Sequence, residues 1–189
     1  HHPDPVKHVQ ATTFSTLVLL NRGDRFALAT LPAVAQLAPA FSLVVADADG
    51  DGREDLFLAQ NFFGTRPEIS RLDAGRGLWL MGDGEGRFRG SSPRESGIEI
   101  DGEGRGAAVS DFDGDGRPDL AVGQHGGPTR LFQNIGARPG LRVRLEGPDG
   151  NPNGIGAVLR LGGPRGSGPA REVHGGSGYA SQDGAVSVL

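Results

Sequence analysis

Asp47, Asp49, Asp51 and Asp55 stand at positions 1, 3, 5 and 9 of the stretch Asp47-Ala48-Asp49-Gly50-Asp51-Gly52-Arg53-Glu54-Asp55. Asp111, Asp113, Asp115 and Asp119 repeat that spacing in Asp111-Phe112-Asp113-Gly114-Asp115-Gly116-Arg117-Pro118-Asp119. Carboxylates at this density repel one another, and a divalent ion removes the penalty. Hard oxygen ligands at positions 1, 3 and 5, a main-chain carbonyl at position 7 and a carboxylate at position 9 suit one Ca²⁺, while glycine at position 6 permits the sharp turn. The carbonyls of Arg53 and Arg117 fill position 7, so two Ca²⁺ sites are expected. A solvated acidic turn that binds nothing is the competing reading, and a second copy in the same frame weighs against it.

The elements that hold these loops are strands. An EF-hand needs a glutamate at position 12 and a helix on each side, whereas here position 12 is Leu58 or Val122. Short apolar runs flank both loops: Ser42-Leu43-Val44-Val45-Ala46 and Leu56-Phe57-Leu58-Ala59 at the first, Ala107-Ala108-Val109-Ser110 and Leu120-Ala121-Val122-Gly123 at the second. Runs of this length bounded by Gly and Asp predict buried strands, which places each ion in the turn of a β-hairpin. The loops are about 64 residues apart, and Phe26 and Phe88, each following a glycine turn, are about 62 apart, a repeat of roughly sixty residues. Arg53, Leu56 and Gln60 match Arg117, Leu120 and Gln124 at equal offsets. A third turn of the pattern begins at Leu131-Phe132-Gln133-Asn134-Ile135-Gly136.

Composition agrees with many short strands. Among 189 residues, 33 Gly and 13 Pro punctuate the chain every few positions, yet 36% apolar content permits a core. Long helices are not expected. Eight of the 23 acidic residues are the loop aspartates, and two divalent ions would cancel the net charge of −4. Lys7 is the sole lysine, and the arginines form no stripe interleaved with aromatics, so nucleic acid is not an expected partner. With no cysteine, disulfides and thiolate chemistry are excluded. No apolar run reaches the roughly 18 residues of a membrane helix. Weak calcium loops fill where the ion is millimolar, so a secreted or cell-surface location is expected. The opening His1-His2-Pro3 reads as a processed, truncated or tagged start.

Along the chain, residues 1–15 are expected to form a loosely held arm, followed by a strand near Thr16-Leu17-Val18-Leu19-Leu20 and a tight turn at Asn21-Arg22-Gly23-Asp24. The adhesion tripeptide Arg22-Gly23-Asp24 is read as part of that turn. Leu31 to Pro39, apolar with two prolines, crosses between sheets. Residues 64–77 make a surface excursion. From Ala137 the character changes: further strands are expected at residues 141–145, 157–161, 171–174 and 186–189, and Asp149, Asn151 and Asn153 form a turn rather than a third calcium loop, because the ninth position is Ala157.

Enzyme signatures fail their own context. His174 and Ser177 are near in sequence, but Tyr179 takes the last glycine position of a nucleophile elbow. The five histidines show no zinc spacing. Glu68, Asp73, Glu95, Glu99 and Asp101 offer carboxylates for glycan hydrolysis, and no spacing selects a pair.

Residues 12–136 resemble FG-GAP or VCBS repeats, through Asn21-Arg22-Gly23-Asp24-Arg25-Phe26, both aspartate loops and Leu131-Phe132-Gln133-Asn134. Residues 138–189 resemble an ASPIC/UnbV domain, through Asn153-Gly154-Ile155-Gly156-Ala157 and the run from Arg171 to Gln182. The pairing is similar to the C-terminal part of the cartilage acidic protein-like family. The resemblance implies an all-β chain: β-propeller-type blades over residues 16–137, with about two calcium-binding repeats and a partial one, then a small β-rich domain. It implies an extracellular, non-catalytic calcium-binding module for adhesion or for interaction with proteins or glycans. Propellers close with about four to eight blades, so closure within one copy is not expected. Two alternatives follow: a structural subunit whose open blade edges are completed by other copies in a ring or filament, and a fragment of a propeller-type carbohydrate-active enzyme.

Overall fold

A computed structural model describes residues 9–163 and 166–189. Strands make up 41% of the chain and helices 4%, arranged in open sheets with no closed propeller among the described residues. The expected arm lies outside the described residues up to residue 8, and residues 9–16 form no strand.

The described residues form five antiparallel sheets. Strands β1 (Leu17–Asn21) and β2 (Phe26–Thr30) form a hairpin. β3 (Ala40–Ala46), β4 (Asp55–Gln60), β5 (Leu78–Gly82) and β6 (Phe88–Gly90) form a four-stranded meander. β7 (Glu103–Ser110), β8 (Asp119–His125) and β9 (Gly127–Phe132) form a three-stranded one. β10 (Arg142–Arg144) pairs with β13 (Val186–Val188), and β11 (Val158–Gly163) with β12 (Gly166–Glu172).

β4 explains how the layers stack. All six of its residues, Asp-Leu-Phe-Leu-Ala-Gln, are buried. Because successive side chains alternate across a sheet, Phe57 and Ala59 enter a cluster with Val44, Trp79, Ile98, Ile100, Leu120 and Val122 on the β7–β8 side. Leu56 and Leu58 enter the other cluster, with Leu31, Ala35, Leu78 and Leu80. The continuous apolar run is therefore a strand covered on both faces. Leu31 and Ala35 reach it from the proline-bounded crossing, which forms a short 3₁₀ turn, Ala33–Gln36. Its two prolines stop it from extending.

Most expected strands are present. The polar stretch 64–77 contains only the isolated Phe62–Leu72 bridge. Asn151 closes its turn through Nδ2–H to the Ile155 carbonyl and Ile155 N–H to Oδ1. Two elements differ from expectation. A single helical turn, α1 (Pro93–Ser96), forms where Ser92 and Glu95 make a reciprocal capping box and Gly97 ends it in the left-handed region. Leu131-Phe132 is the end of β9, paired with Ala121 and Leu120, so the supposed third repeat completes the second sheet.

Candidate metal centres

The two aspartate stretches close the β3–β4 and β7–β8 hairpins, bounded by the pairs Ala46–Asp55 and Ser110–Asp119. Backbone amides turn the carboxylates inward. Asp47 Oδ1 accepts from the N–H of Gly50 at 2.8 Å and of Asp51 at 3.0 Å, and Oδ2 from Gly52 at 2.8 Å. Asp111 does the same toward Gly114 at 2.9 Å and Gly116 at 3.0 Å. Asp49 and Asp113 accept from the next aspartate's amide, each at 3.1 Å, and Asp51 and Asp115 from the amides of Arg53 and Arg117, each at 2.9 Å. These are Asx turns in series. One carboxylate oxygen from each of Asp47, Asp49 and Asp51 lies within 4.8 Å of the others, as does one from each of Asp111, Asp113 and Asp115. Two oxygens bound to one Ca²⁺ sit up to about 5 Å apart, so both triplets fit a hard divalent cation. Burial, then the charge of Asp51, pushes the Asp49 carboxyl above its ordinary range, a cost that a cation would remove.

Asp55 and Asp119 sit beside the triplets rather than in them. Asp55 is 1% exposed; its Oδ2 accepts from Ala48 N–H at 2.9 Å and its Oδ1 from Gly82 N–H at 2.8 Å. Asp119, also 1% exposed, accepts from Phe112 N–H at 3.1 Å and Asn134 N–H at 2.7 Å. Each position-9 carboxylate therefore fastens its loop to a neighbouring segment. Burial pushes Asp55 up to about 6, against the pull of these amides and with help from Asp49 and Asp47. Asp119 is raised by the same causes, with Asp113 and Asp115 contributing. The side chains of Arg53 and Arg117 fold back onto the triplets, pairing with Asp51 at 2.9 Å and Asp115 at 2.5 Å.

The segment 133–142 laces the loops together. Asn134 Nδ2–H donates to the Ala48 carbonyl at 2.9 Å and to the Pro118 carbonyl at 3.3 Å. Arg138 N–H reaches the Asp49 carbonyl at 3.4 Å, Gly140 N–H the Gly116 carbonyl at 2.8 Å, and Arg117 Nε the Ala137 carbonyl at 2.6 Å. Gly50 is required by this approach: its φ is +73°, and a Cβ there would meet the backbone of Arg138 at 2.6 Å. Two further side chains enter the second loop. Gln133 donates to Asp113 Oδ2 at 2.5 Å, and Arg142 Nε lies 2.5 Å from Asp111 Oδ2. No spacing in the sequence marks either one.

The C-terminal segment packs on the sheets. Arg171 pairs with Glu54 at 2.8 Å, Asp183 accepts from Val109 N–H at 2.8 Å, and Gly184 N–H donates to the Val109 carbonyl at 2.8 Å. A cavity of about 600 Å³ lies between this segment and β3 and β7. His174, Ser177 and Asp183 all line it. His174 Nδ1 is 3.8 Å from Glu172, and burial raises the Asp183 carboxyl above its usual range. Of the other carboxylates considered, Glu99 and Asp101 both pair with Arg76, and Glu95 caps α1.

Comparison with known families bears on the middle of the chain. A family model described as an FG-GAP-like repeat matches residues 66–122. An FG-GAP-like repeat is found there. It runs from the excursion before β5 through α1 to β8 and contains the second loop. No curated protein matches the chain. Among the described residues no helix is long and apolar enough to cross a membrane.

Proposed function

We propose that this chain is an extracellular, non-catalytic interaction module of β-propeller-type blades in which two Ca²⁺ ions clamp hairpin loops. The observation that carries this reading is the pair of aspartate triplets, each within reach of one ion, at equivalent hairpin ends. Asp47, Asp49 and Asp51 hold one ion and Asp111, Asp113 and Asp115 the other, with the carbonyls of Arg53 and Arg117 and the carboxylates of Asp55 and Asp119 completing the shells. A bound ion supplies positive charge and a cross-link, so its binding free energy adds to folding free energy. The chain's own residues preorganise the oxygens through the Asx turns, and the lacing segment holds both loops against one strap. On this reading residues 138–189 are an ASPIC/UnbV-like domain docked on the blades, and the partners are extracellular proteins or glycans. Calorimetric titration of chelator-stripped protein is expected to show two calcium sites per chain and a raised melting temperature. Absence of both at millimolar calcium would overturn the reading.

A second reading has its own support. The β1–β2 hairpin exposes Leu19, Phe26 and Leu28 at 59%, 65% and 69%, although its register matches a full hairpin. Exposed apolar side chains on a two-stranded sheet suit completion by another copy. Molar mass by light scattering in calcium decides it: a multimer supports a self-assembling subunit, and a monomer removes it.

A further inference from the structure

The chain supplies its own cation to the second loop. Asp111 has a side chain with no exposed surface, and Arg142 of β10 sets its Nε 2.5 Å from Oδ2. That oxygen also accepts the Gly116 amide at 3.0 Å, while Oδ1 takes Gly114 at 2.9 Å. The guanidinium lies over Gly114, where a Cβ would meet its Nη and Cζ atoms at 3.6 to 3.7 Å. A buried carboxylate oxygen that serves an amide and a guanidinium has little capacity left for an ion. At the first loop, Asp47 makes the same kind of amide bonds. No guanidinium pairs with Asp47 among the described residues; Arg138 of the strap gives its backbone N–H to the Asp49 carbonyl, and its charge acts on the Asp49 carboxyl from beyond ion-pair distance.

We propose that Arg142 is a tethered competitor for the second loop: its guanidinium holds the electrostatic place of a divalent ion at Asp111, and calcium entering the loop displaces it. The inference rests on the calcium reading above. Two consequences follow from the geometry. The second loop binds calcium more weakly than the first, because the ion must replace a guanidinium ion pair rather than water. Filling the loop also frees one anchor of β10, which is paired with β13 through Arg142–Val188, so the C-terminal sheet registers occupancy. The arginine has room to move, since its side chain is 46% exposed.

The test uses the full chain with one loop silenced at a time. Asp49→Asn with Asp51→Asn leaves the second loop to be titrated with calcium by calorimetry, and Asp113→Asn with Asp115→Asn leaves the first. The second loop is expected to be the weaker one with Arg142 intact, a comparison that needs no Arg142 variant. In the first-loop-silenced chain, Arg142→Gln is expected to tighten calcium binding by about tenfold to a hundredfold, the gain from removing one competing ion pair. Arg142→Lys, which keeps the charge, is expected to restore weak binding. Arg142→Gln is also expected to lower the melting temperature in chelator while enlarging the rise that calcium produces, which a purely structural arginine would not do. An unchanged or weaker second-loop affinity in Arg142→Gln, or a second loop tighter than the first in the chains with Arg142 intact, would overturn the competitor and leave the calcium reading standing. A heatless titration of the unsubstituted chain together with a melting temperature unmoved by millimolar calcium would overturn both.

Discussion

Loops 47–55 and 111–119 share a scaffold of amide-to-carboxylate bonds and differ in what the rest of the chain presents to them. Gly50 and Gly52 serve Asp47 as Gly114 and Gly116 serve Asp111, and Ala48 serves Asp55 as Phe112 serves Asp119. At position 8 the first loop has Glu54, paired with Arg171 of β12, where the second has Pro118. The second loop receives Arg142 and Gln133 directly on its aspartates. Local sequence thus sets which way each carboxylate turns, while tertiary neighbours set how much of its charge is already answered. Two loops with the same motif need not have the same affinity for an ion.

The largest effects should come from the position-9 carboxylates, which work with or without metal. Asp119→Ala strands the amides of Phe112 and Asn134, at a cost of about 1–3 kcal/mol for each buried group left unmade. Asp55→Ala strands those of Ala48 and Gly82 and should cost a similar amount. Urea unfolding of the calcium-free protein measures both, and equal stability to the unsubstituted chain would show that these carboxylates do not anchor the loops.

The pH dependence follows from Asp55. Its folded pKa of about 6 lies above the ordinary value of 3.8, so the folded protein holds this proton more tightly than the unfolded one. The resulting stabilisation is fully present below about pH 4 and is lost as pH rises through about 6, amounting to at most about 3 kcal/mol. Asp119 acts in the same direction. Calcium-free protein is expected to gain stability from these groups on acidification from pH 7 to pH 5, and Asp55→Ala should flatten the profile. A gain that survives this substitution would assign it to other groups.

Calcium itself should add about 2.7 kcal/mol for each loop at a hundredfold excess over its dissociation constant. The melting curve of each loop-silenced chain measures that increment separately. Asn134 is the shared contact, and Asn134→Ala, which removes its side-chain bonds to Ala48 and Pro118, should cost about 1–2 kcal/mol. It should also loosen both loops together; a change confined to one would break the picture of a common strap. The smallest effect belongs to the loop arginines. Arg53, whose side chain is 53% exposed, should tolerate Gln within about 0.5 kcal/mol. Arg117 is 25% exposed and also holds the Ala137 carbonyl, so Arg117→Gln should cost more.

The aspartate spacing, the strands around it and the double-sided burial of β4 are legible because each is written locally, in short continuous apolar runs and in turn residues. The strap is not. Asn134 and Arg138 lie far in sequence from the first loop they hold, and Arg142 sits in an alternating run whose period describes a half-exposed strand correctly without saying where its arginines reach. Position alone marks Asp55 and Asp119 as ligands, whereas the amides they also receive from Gly82 and Asn134 depend on how the strands meet. Gly82 marks one such meeting, since a Cβ on it would collide with the Glu54 carbonyl. Such close approaches emerge only when distant segments pack.

β4 is the common wall of both apolar clusters, and this has a consequence for how the molecule breathes. Neither cluster can open while the other stays intact without exposing one face of that strand, so the two sheets and the crossing segment should rise and fall as a single foldon. The amides of Leu56, Phe57 and Leu58 should then exchange with deuterium only through global unfolding, while those of the β1–β2 hairpin, exposed and at the margin, exchange through small local excursions.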